Sequence, residues 1–362
     1  MAVAQVALSD TQLGQSVWMW GGIQSAQPLF YSDEMWRFTP SSGTWTLFDI
    51  VGRPTRSVGP AMCAVGNTLY LFGGQEQDTG ILQNTLYTFS TQLETWGLPG
   101  TLGTTPAARA YHTMACANDR AYLLGGSGAS SSILSDFHYF DTLSATWVAV
   151  TAAGGPSARK GHSLTHSGER LYVFGGGASG GSKLNDAYSF DLGSSVWRAL
   201  QMSGDRPAAR EGHAAVVIDD RLYIYGGQDR YGYLNDVHAL SLASFRWSQP
   251  RAAGFTPTPR WGMLSALSNQ ALYVYGGISQ TSVGAQELNQ DLWVMTTHCS
   301  GLTVLTTPRA TFASGDSYYP AYSNCSWLIT PPAANRQVRR SDQTRARAAS
   351  VRIGHFFCAP PF

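Results

Sequence analysis

The chain has 362 residues, 24 of them basic and 23 acidic, and its formal net charge of +1 gives no reason to expect a nucleic-acid partner. Its 39 glycines, 11 tryptophans and 17 tyrosines, with only 13% charged residues, indicate a compact, turn-rich protein and exclude a disordered or fibrous one. No apolar run reaches the roughly eighteen residues of a membrane span, and the N-terminal MAVAQVALSD does not read as a signal peptide. We therefore expect a globular, β-rich chain without membrane insertion.

An apolar run that ends in two glycines recurs six times along the chain, as VWMWGG, LYLFGG, AYLLGG, LYVFGG, LYIYGG and LYVYGG. The first glycines are spaced by 52, 52, 50, 51 and 50 residues. The glycine pairs are Gly21 and Gly22, Gly73 and Gly74, Gly125 and Gly126, Gly175 and Gly176, Gly226 and Gly227, and Gly276 and Gly277. Each unit reads as four short strands that cannot bury both faces alone, so the repeat predicts a ring of sheets, a β-propeller.

Two other residue types recur at a nearly constant sequence distance from the glycine pairs. An arginine stands 16 or 17 residues before five of them, and a tryptophan stands 21 to 24 residues after five of them. The arginines are Arg56, Arg109, Arg159, Arg210 and Arg260, and the tryptophans are Trp45, Trp96, Trp147, Trp197 and Trp247. We expect the glycines to allow close backbone approach and the tryptophans to fill the space between sheets. The pattern resembles the kelch repeat, which implies an all-β, six-bladed kelch propeller over residues 1–297.

The two ends of the repeat region depart from the pattern. The first repeat has no arginine motif, and the sixth has no tryptophan near residue 297. The N-terminal segment either pairs as the outer strand of the sixth blade, which would remove an exposed edge, or forms the first strand of blade 1. The sequence leaves both arrangements open.

Residues 298–331 have a different character. Cys299, the stretch Gly315–Pro320, Cys325 and Trp327 resemble the opening of a CUB domain, of which only a short part is present, and the resemblance implies a Cys299–Cys325 disulfide. Residues 332–362 are rich in arginine, and we expect them to be disordered. A kelch propeller beside a CUB segment resembles attractin-like cell-surface proteins and favours an extracellular location; the absence of a signal peptide keeps a cytoplasmic location as the alternative.

Histidines and cysteines recur at fixed positions of the repeat. His112, His162 and His213 each follow an arginine by three residues, and we interpret them as structural rather than metal-binding, because strand side chains point to sheet faces. Cys63 and Cys116 share one register, which we interpret as simple burial. We expect no disulfide between them, since sheets pack about 10 Å apart.

Sequence signals for catalysis are weak. The spacing Gly175-x-Gly177-x-x-Gly180 has the form of a dinucleotide-binding loop, but a strand rather than a helix is predicted after it, so we reject that interpretation. The chain also lacks the nucleophile-elbow, zinc-protease and phosphate-loop motifs. We therefore predict a non-enzymatic protein without cofactor or metal; a propeller enzyme of the galactose-oxidase kind and a purely structural spacer remain the alternatives.

The predicted function is the binding of a protein or peptide partner. The segment before each arginine and the loop after each glycine pair share one face of the predicted ring, and loops on a rigid scaffold commonly carry function. Tyrosine, tryptophan and arginine are also the residue types that dominate interface energies. The candidates on this face are Gln75, Gln77, Arg109, Tyr111, Arg159, Lys160, Arg210, Arg230, Tyr231, Tyr233, Arg260 and Trp261.

Overall fold

The described part of the chain is almost wholly β-structure. The computed structural model describes residues 16–26, 29–250, 256–268, 270–280 and 284–296. Within these ranges the only helical elements are two single 3-10 turns, Ala129–Ser131 and Ser179–Gly181. None of the described helical segments has the length and apolar character that a membrane crossing requires. The all-β prediction is confirmed, and the fold is a β-propeller.

Six antiparallel sheets follow one another along the described chain and are called blades 1 to 6 here, each with strands named a to d. The described strands of blade 1 are Val17–Trp20 (b), Met35–Thr39 (c) and Thr44–Phe48 (d). Strands a to d of blade 2 are Ala61–Val65, Thr68–Phe72, Leu86–Ser90 and Thr95–Gly97. Strands a to d of blade 3 are Thr113–Ala117, Arg120–Ser127, Ile133–Asp141 and Thr146–Ala149. Strands a to d of blade 4 are Ser163–Ser167, Arg170–Gly177, Lys183–Asp191 and Val196–Ala199. Strands a to d of blade 5 are Ala214–Ile218, Arg221–Gln228, Tyr233–Ser241 and Arg246–Ser248. The described strands of blade 6 are Leu264–Ser268 (a), Ala271–Tyr275 (b) and Leu292–Thr296 (c).

Short accessory strands complete the sheets at their edges. Leu102–Gly103 and Ser203–Gly204 run parallel to the outer strands of blades 3 and 5. Ser57–Val58 pairs with Gln75–Glu76, and Ile23–Ala26 pairs with Leu29–Tyr31. Arg260–Trp261, Ile278–Gln280 and Gln286–Leu288 form one further small sheet. Several of these pairings rigidify the segments that flank the arginines and glycine pairs.

Six buried clusters join neighbouring blades, and one of them joins blade 6 to blade 1. In that closing cluster Phe38 of blade 1 packs on Tyr273 of blade 6, with ring centroids 6.0 Å apart. The d tryptophans lie in these gaps: Trp147 packs on Phe72 of the preceding blade with centroids 5.1 Å apart. Side-chain packing therefore closes the described ring. The N-terminal segment of the two closure alternatives, the CUB-like segment with Cys299 and Cys325, and the arginine-rich tail lie outside the described residues.

The glycine pairs are joints between blades. In blade 3 the N–H of Gly126 donates to the carbonyl of Arg159 in blade 4 over 2.8 Å. A Cβ on Gly125 would lie 2.6 Å from that same carbonyl oxygen, and both glycines have positive φ, 60° and 104°. A side chain is excluded here because neighbouring backbones touch and the backbone is in a region that favours glycine. Blades 2, 3 and 4 repeat this contact, since the N–H groups of Gly74, Gly126 and Gly176 each donate to the carbonyl of the arginine in the next blade.

A disulfide joins Cys63 and Cys116, with their Cα atoms 5.6 Å apart. The prediction that these cysteines are unpaired is therefore wrong. It used the spacing of parallel-packed sheets, whereas strands a lie at the narrow, axial end of the gap between blades, where the backbones approach closely. The N–H of Tyr111, two residues before strand a of blade 3, donates over 2.7 Å to the carbonyl of Gly59 beside strand a of blade 2.

Candidate functional site: the loop rim

The propeller has two distinct rims. On one of them, called the hairpin rim here, the a–b turns and c–d turns meet: the N–H groups of Thr142 and Leu192 donate to the carbonyls of Asp119 and Glu169 over 3.0 Å each. On the other, called the loop rim, the segments before strands a meet the b–c loops. Lys160, before strand a of blade 4, pairs with Gly177 at the end of strand b. The candidate binding residues of the sequence prediction all belong to the loop rim.

Four of the predicted binding arginines are structural, and their assignment to a binding surface is wrong. Arg109, Arg159, Arg210 and Arg260 are at most 1% exposed. Each guanidinium donates to the first glycine carbonyl of its own blade and to both oxygens of an aspartate at the start of strand c. The aspartates are Asp136, Asp186, Asp236 and Asp291. Since these donors point into the blade, no partner on the rim can reach them.

The electrostatics of these pairs fit a structural role. Burial alone would raise the pKa of Asp236, but the hydrogen bond and charge of Arg210, helped by His238, outweigh burial and hold that pKa far below its usual range. Arg56 of blade 2 differs because Thr85 stands where the other blades have aspartate. It is 39% exposed and lies 3.7 Å from Asp33 of blade 1. Only this fifth repeat arginine is open to solvent.

A chain of backbone hydrogen bonds runs around the axis on the loop rim. The N–H of Tyr111 donates to Gly59, that of Gly161 to Tyr111, that of Gly212 to Gly161 and that of Gly262 to Gly212, over 2.7 to 2.9 Å. All five residues lie two positions before a strand a and have φ between 58° and 69°. Four of these five residues are glycines, so backbone forms the floor of the rim around the axis. The Tyr111 ring packs against this floor at Gly59, and the Trp261 ring packs against it at Gly212.

Charged side chains surround this floor between blades 3 and 5. The ammonium of Lys160 lies 5.9 Å from the ring centroid of Tyr111. Glu211, one residue after Arg210, forms an ion pair with Lys183 and occupies the space next to Gly177, where a Cβ would collide with the carboxylate. Burial, with smaller contributions from Tyr31 and Glu211, raises the pKa of Tyr111. The glycine loop that has the form of a dinucleotide motif therefore makes room for a glutamate.

The side of the rim formed by blades 5 and 6 is aromatic. The rings of Tyr233 and Trp261 lie 6.4 Å apart, and the amide of Gln286 donates to the Tyr233 hydroxyl over 3.0 Å. Tyr231 is 80% exposed and stacks with Arg230, whose guanidinium carbon is 4.4 Å from the ring centroid. The predicted residues Tyr233 and Trp261 thus contact each other, Tyr231 contacts Arg230, and Tyr111 and Lys160 form a further pair.

Blade 2 contributes Gln75 and Gln77 in different ways. The amide of Gln75 donates to the carbonyl of Gly80 within its own loop, and the side-chain oxygen of Gln77 accepts the backbone N–H of Tyr31 in blade 1. The sequence prediction does not include Glu211, Lys183, Tyr31 or Gln286. Glu211 has a recognisable signal, since it shares with Lys160 and Trp261 the position one residue after the repeat arginine. The other three lie at the ends of strands, at positions that the repeat does not mark, and have none.

The three histidines that directly precede strands a, His112, His162 and His213, lie between blades. The Nε2 atoms of His162 and His213 are hydrogen-bonded across the gap to Thr113 Oγ1 at 2.7 Å and to Ser163 Oγ at 3.0 Å. Burial, reinforced by the neighbouring Arg109, lowers the pKa of His112 to about 3. In the described ranges no three histidine, cysteine, aspartate or glutamate side chains form a group that could hold a metal ion. That the protein is neither an enzyme nor a metal binder stays a prediction.

Comparison with known proteins identifies the repeat. A family model described as the KLHDC2/KLHL20/DRC7 Kelch-repeats domain matches residues 7–166 and, in an overlapping second match, residues 135–311. A Rab9 effector protein with kelch motifs from Homo sapiens is 36% identical over 90 residues, 24% of each chain. Acyl-CoA-binding domain-containing protein 4 from Arabidopsis thaliana is 31% identical over 111 residues, 30% of this chain and 16% of that protein.

A third relative, Kelch domain-containing protein 3 from Bos taurus, is 29% identical over 102 residues, 28% of this chain and 26% of that protein. The matches therefore span about a quarter or less of the length of these curated relatives. They support the kelch resemblance. They give no support to the resemblance to attractin-like proteins or to a CUB domain.

Proposed function

Since the chain belongs to the kelch-repeat domain family, we propose that it is a non-catalytic interaction module that binds a protein or peptide partner on the loop rim. One relative is named an effector of Rab9, a protein that acts through a protein partner, and this supports the same kind of role here. The observation that carries the proposal is the composition of the rim: partly exposed Tyr111, Tyr233 and Trp261 around a floor of glycine backbone. Aromatic side chains held by a rigid frame are typical anchors of protein interfaces.

The geometry favours a partner that lies across the axis. Tyr111 and Lys160 stand on the side of blades 3 and 4, and Trp261, Tyr233 and Tyr231 stand on the side of blades 5 and 6. Between them lie Gly161, Gly212 and Gly262, which carry no side chains of their own; the Trp261 ring packs against Gly212, and Glu211 packs beside Gly161. A peptide segment or protruding loop spanning the rim would meet both groups, whereas a flat surface would meet only the exposed Tyr231.

An oxidising compartment is the second part of the proposal. The Cys63–Cys116 disulfide supports it, because disulfides persist in extracellular and other oxidising environments and are rare where thiols are kept reduced. We therefore propose an extracellular or cell-surface setting for this interaction module. Finding the protein only in a reducing compartment, with both thiols free, would contradict this part and leave the binding proposal intact.

Site-specific photocrosslinking tests the proposed surface. A photoreactive phenylalanine analogue replaces Tyr231 on the loop rim in one variant and Leu143 on the hairpin rim in the other; the two side chains are 80% and 82% exposed, so their solvent access is matched. Each purified full-length variant is irradiated with an extract of the source cells, and crosslinked species are identified by mass spectrometry. We expect saturable crosslinks from position 231 that excess unlabelled wild-type protein removes. Crosslinks of that kind from position 143 alone would overturn the choice of rim.

A further inference from the structure

Tyr111 has a backbone conformation that its residue type disfavours. Its φ is 58°, in the left-handed region, where a bulky side chain is a genuine outlier. The matching residues of blades 2, 4, 5 and 6 are Gly59, Gly161, Gly212 and Gly262, for which that region carries no penalty. The four glycines show which residue the fold prefers here. Blade 3 departs from them by carrying a tyrosine.

The ring of backbone hydrogen bonds does not need the tyrosine side chain. The N–H of Tyr111 donates to Gly59 and its carbonyl accepts from Gly161, and glycine makes the same two bonds in blades 4 and 5. The neighbours hold the residue in place, since a Cβ on Gly59 would lie 2.7 Å from the Tyr111 nitrogen and 3.0 Å from its Cδ1. Strain that the surroundings maintain, and that a local glycine would relieve, is commonly found where a side chain has a function.

The side chain of Tyr111 extends over the floor of the rim. It passes over Gly59 of blade 2, its ring lies below the ammonium of Lys160 of blade 4, and its hydroxyl interacts electrostatically with Tyr31 of blade 1 and Glu211 of blade 5. One side chain thus faces groups from four other blades. It remains partly exposed, so a molecule on the rim can contact the ring.

Lys160 gives this position a charge. The neighbouring carboxylate, Glu211, is engaged by Lys183. Among the residues that the structure describes, no carboxylate oxygen lies within 4.0 Å of the Lys160 ammonium. A cation beside an aromatic ring, with no carboxylate within 4.0 Å among the described residues, attracts an anionic group more strongly than a solvated surface lysine does.

We propose that Tyr111 and Lys160 form a subsite for an acidic side chain of the partner: the carboxylate binds the Lys160 ammonium, and the aliphatic part of the side chain packs on the Tyr111 ring. This assignment rests on the proposed function, because it specifies which chemistry the loop rim recognises. The competing role of Tyr111 is structural, as a side chain that seals the axial opening. The two roles predict different effects on stability.

Thermal unfolding of Tyr111→Gly and Tyr111→Ala separates these roles without any ligand. Alanine keeps the left-handed strain and removes the ring; glycine removes both. If the ring serves binding, we expect Tyr111→Gly to melt about 2 to 4 °C above Tyr111→Ala and close to the wild type. A fall of more than about 10 °C for Tyr111→Gly would show that the ring holds the propeller together and would overturn the proposal.

Selection of peptides from a phage-displayed random 12-residue library tests the charge preference. The full-length wild-type protein is the bait, and the selected peptides are remeasured with Lys160→Glu, Tyr111→Gly, Trp261→Ala and the hairpin-rim control Arg221→Glu. We expect enrichment of Asp and Glu, a loss of affinity of at least tenfold for the first two variants, and no change for the control.

Other outcomes separate a failure of the acidic subsite from a failure of the proposed binding surface. Peptides that lose affinity with Trp261→Ala, yet are not acidic and tolerate Lys160→Glu, would overturn the acidic subsite and leave binding on the loop rim standing. Peptides indifferent to all three loop-rim variants, or no selected peptide at all, would overturn the subsite and the proposed surface together.

Discussion

The disulfide between Cys63 and Cys116 should be one of the largest single contributions to the stability of the ring. It links the innermost strands of blades 2 and 3 and closes a loop with a sequence separation of 53 residues. Restricting the unfolded chain by a loop of that length is worth about 4 kcal/mol in the chain-entropy estimate. At an unfolding entropy of about 2.1 cal/mol/K per residue, we expect a fall in Tm of about 5 to 7 °C for a propeller of this size when the bond is absent.

Differential scanning calorimetry with and without a phosphine reductant measures the effect. The double variant Cys63→Ala/Cys116→Ala is the matched control, since reduction also acts on any other disulfide of the chain. The wild type should lose about 5 to 7 °C on reduction, whereas the variant should show no comparable loss.

Alkylation followed by peptide mapping of the unreduced protein provides the chemical check. Labelling of both Cys63 and Cys116 in the native, oxidised protein would refute the assignment of the bond. Equal Tm values of wild type and double variant under oxidising conditions would refute the estimated magnitude, even if the bond is present.

Three further predictions concern the repeat itself. Gly125→Ala should destabilise by about 2 to 4 kcal/mol, because its Cβ would meet a backbone carbonyl at 2.6 Å, whereas Gly43→Ala, with a similar φ and nothing within 4 Å, should cost about 1 kcal/mol in urea unfolding. Asp291→Asn should lower the free energy of unfolding by about 3 to 5 kcal/mol, because it leaves the buried Arg260 unpaired. Asp141→Asn, at the partly exposed pair with Arg120, should lower it by less than about 1 kcal/mol, and equal losses would contradict this. The three inter-blade histidines have lowered folded-state pKa values, so their contribution to the free energy of unfolding is full above the unfolded pKa of about 6.5. That contribution declines as the pH falls below about 6.5, by at most about 1.4 kcal/mol per pH unit for each histidine. Urea midpoints that match at pH 7.5 and 5.5 would refute this.

The spacing of residues predicted the fold because each spaced residue serves a contact that every blade repeats. Gly125 and Gly126 meet the backbone of the next blade, and Trp147 fills the gap to the preceding one. Such contacts are local to one blade and its neighbour, so they recur with the period of the sequence. A single chain therefore contains enough repeats to reveal them without any second sequence.

The disulfide was not predictable by the same reasoning. Cys63 and Cys116 share a register with His166, Val217 and Leu267, and that mixed set indicates burial rather than a bond. The distance between the two Cα atoms depends on the gap between blades, which narrows toward the axis. A uniform sheet spacing leaves this narrowing out. The Cα separation of 5.6 Å is a property of the closed ring, and no window of the sequence carries it.

The four misassigned arginines show that recurrence at the same position of the repeat indicates a role in the fold rather than in binding. Arg159 has counterparts in blades 3 to 6 because the guanidinium satisfies the carbonyl of the first glycine of its blade, and an aspartate such as Asp186 recurs to neutralise it. A residue that these blades need for folding is not available to a partner, and a partner is recognised by what distinguishes one blade from another. On the loop rim those differences are Tyr111 among glycines and Lys160 beside a paired Glu211. The residues that break the repeat are thus the ones from which specificity should arise.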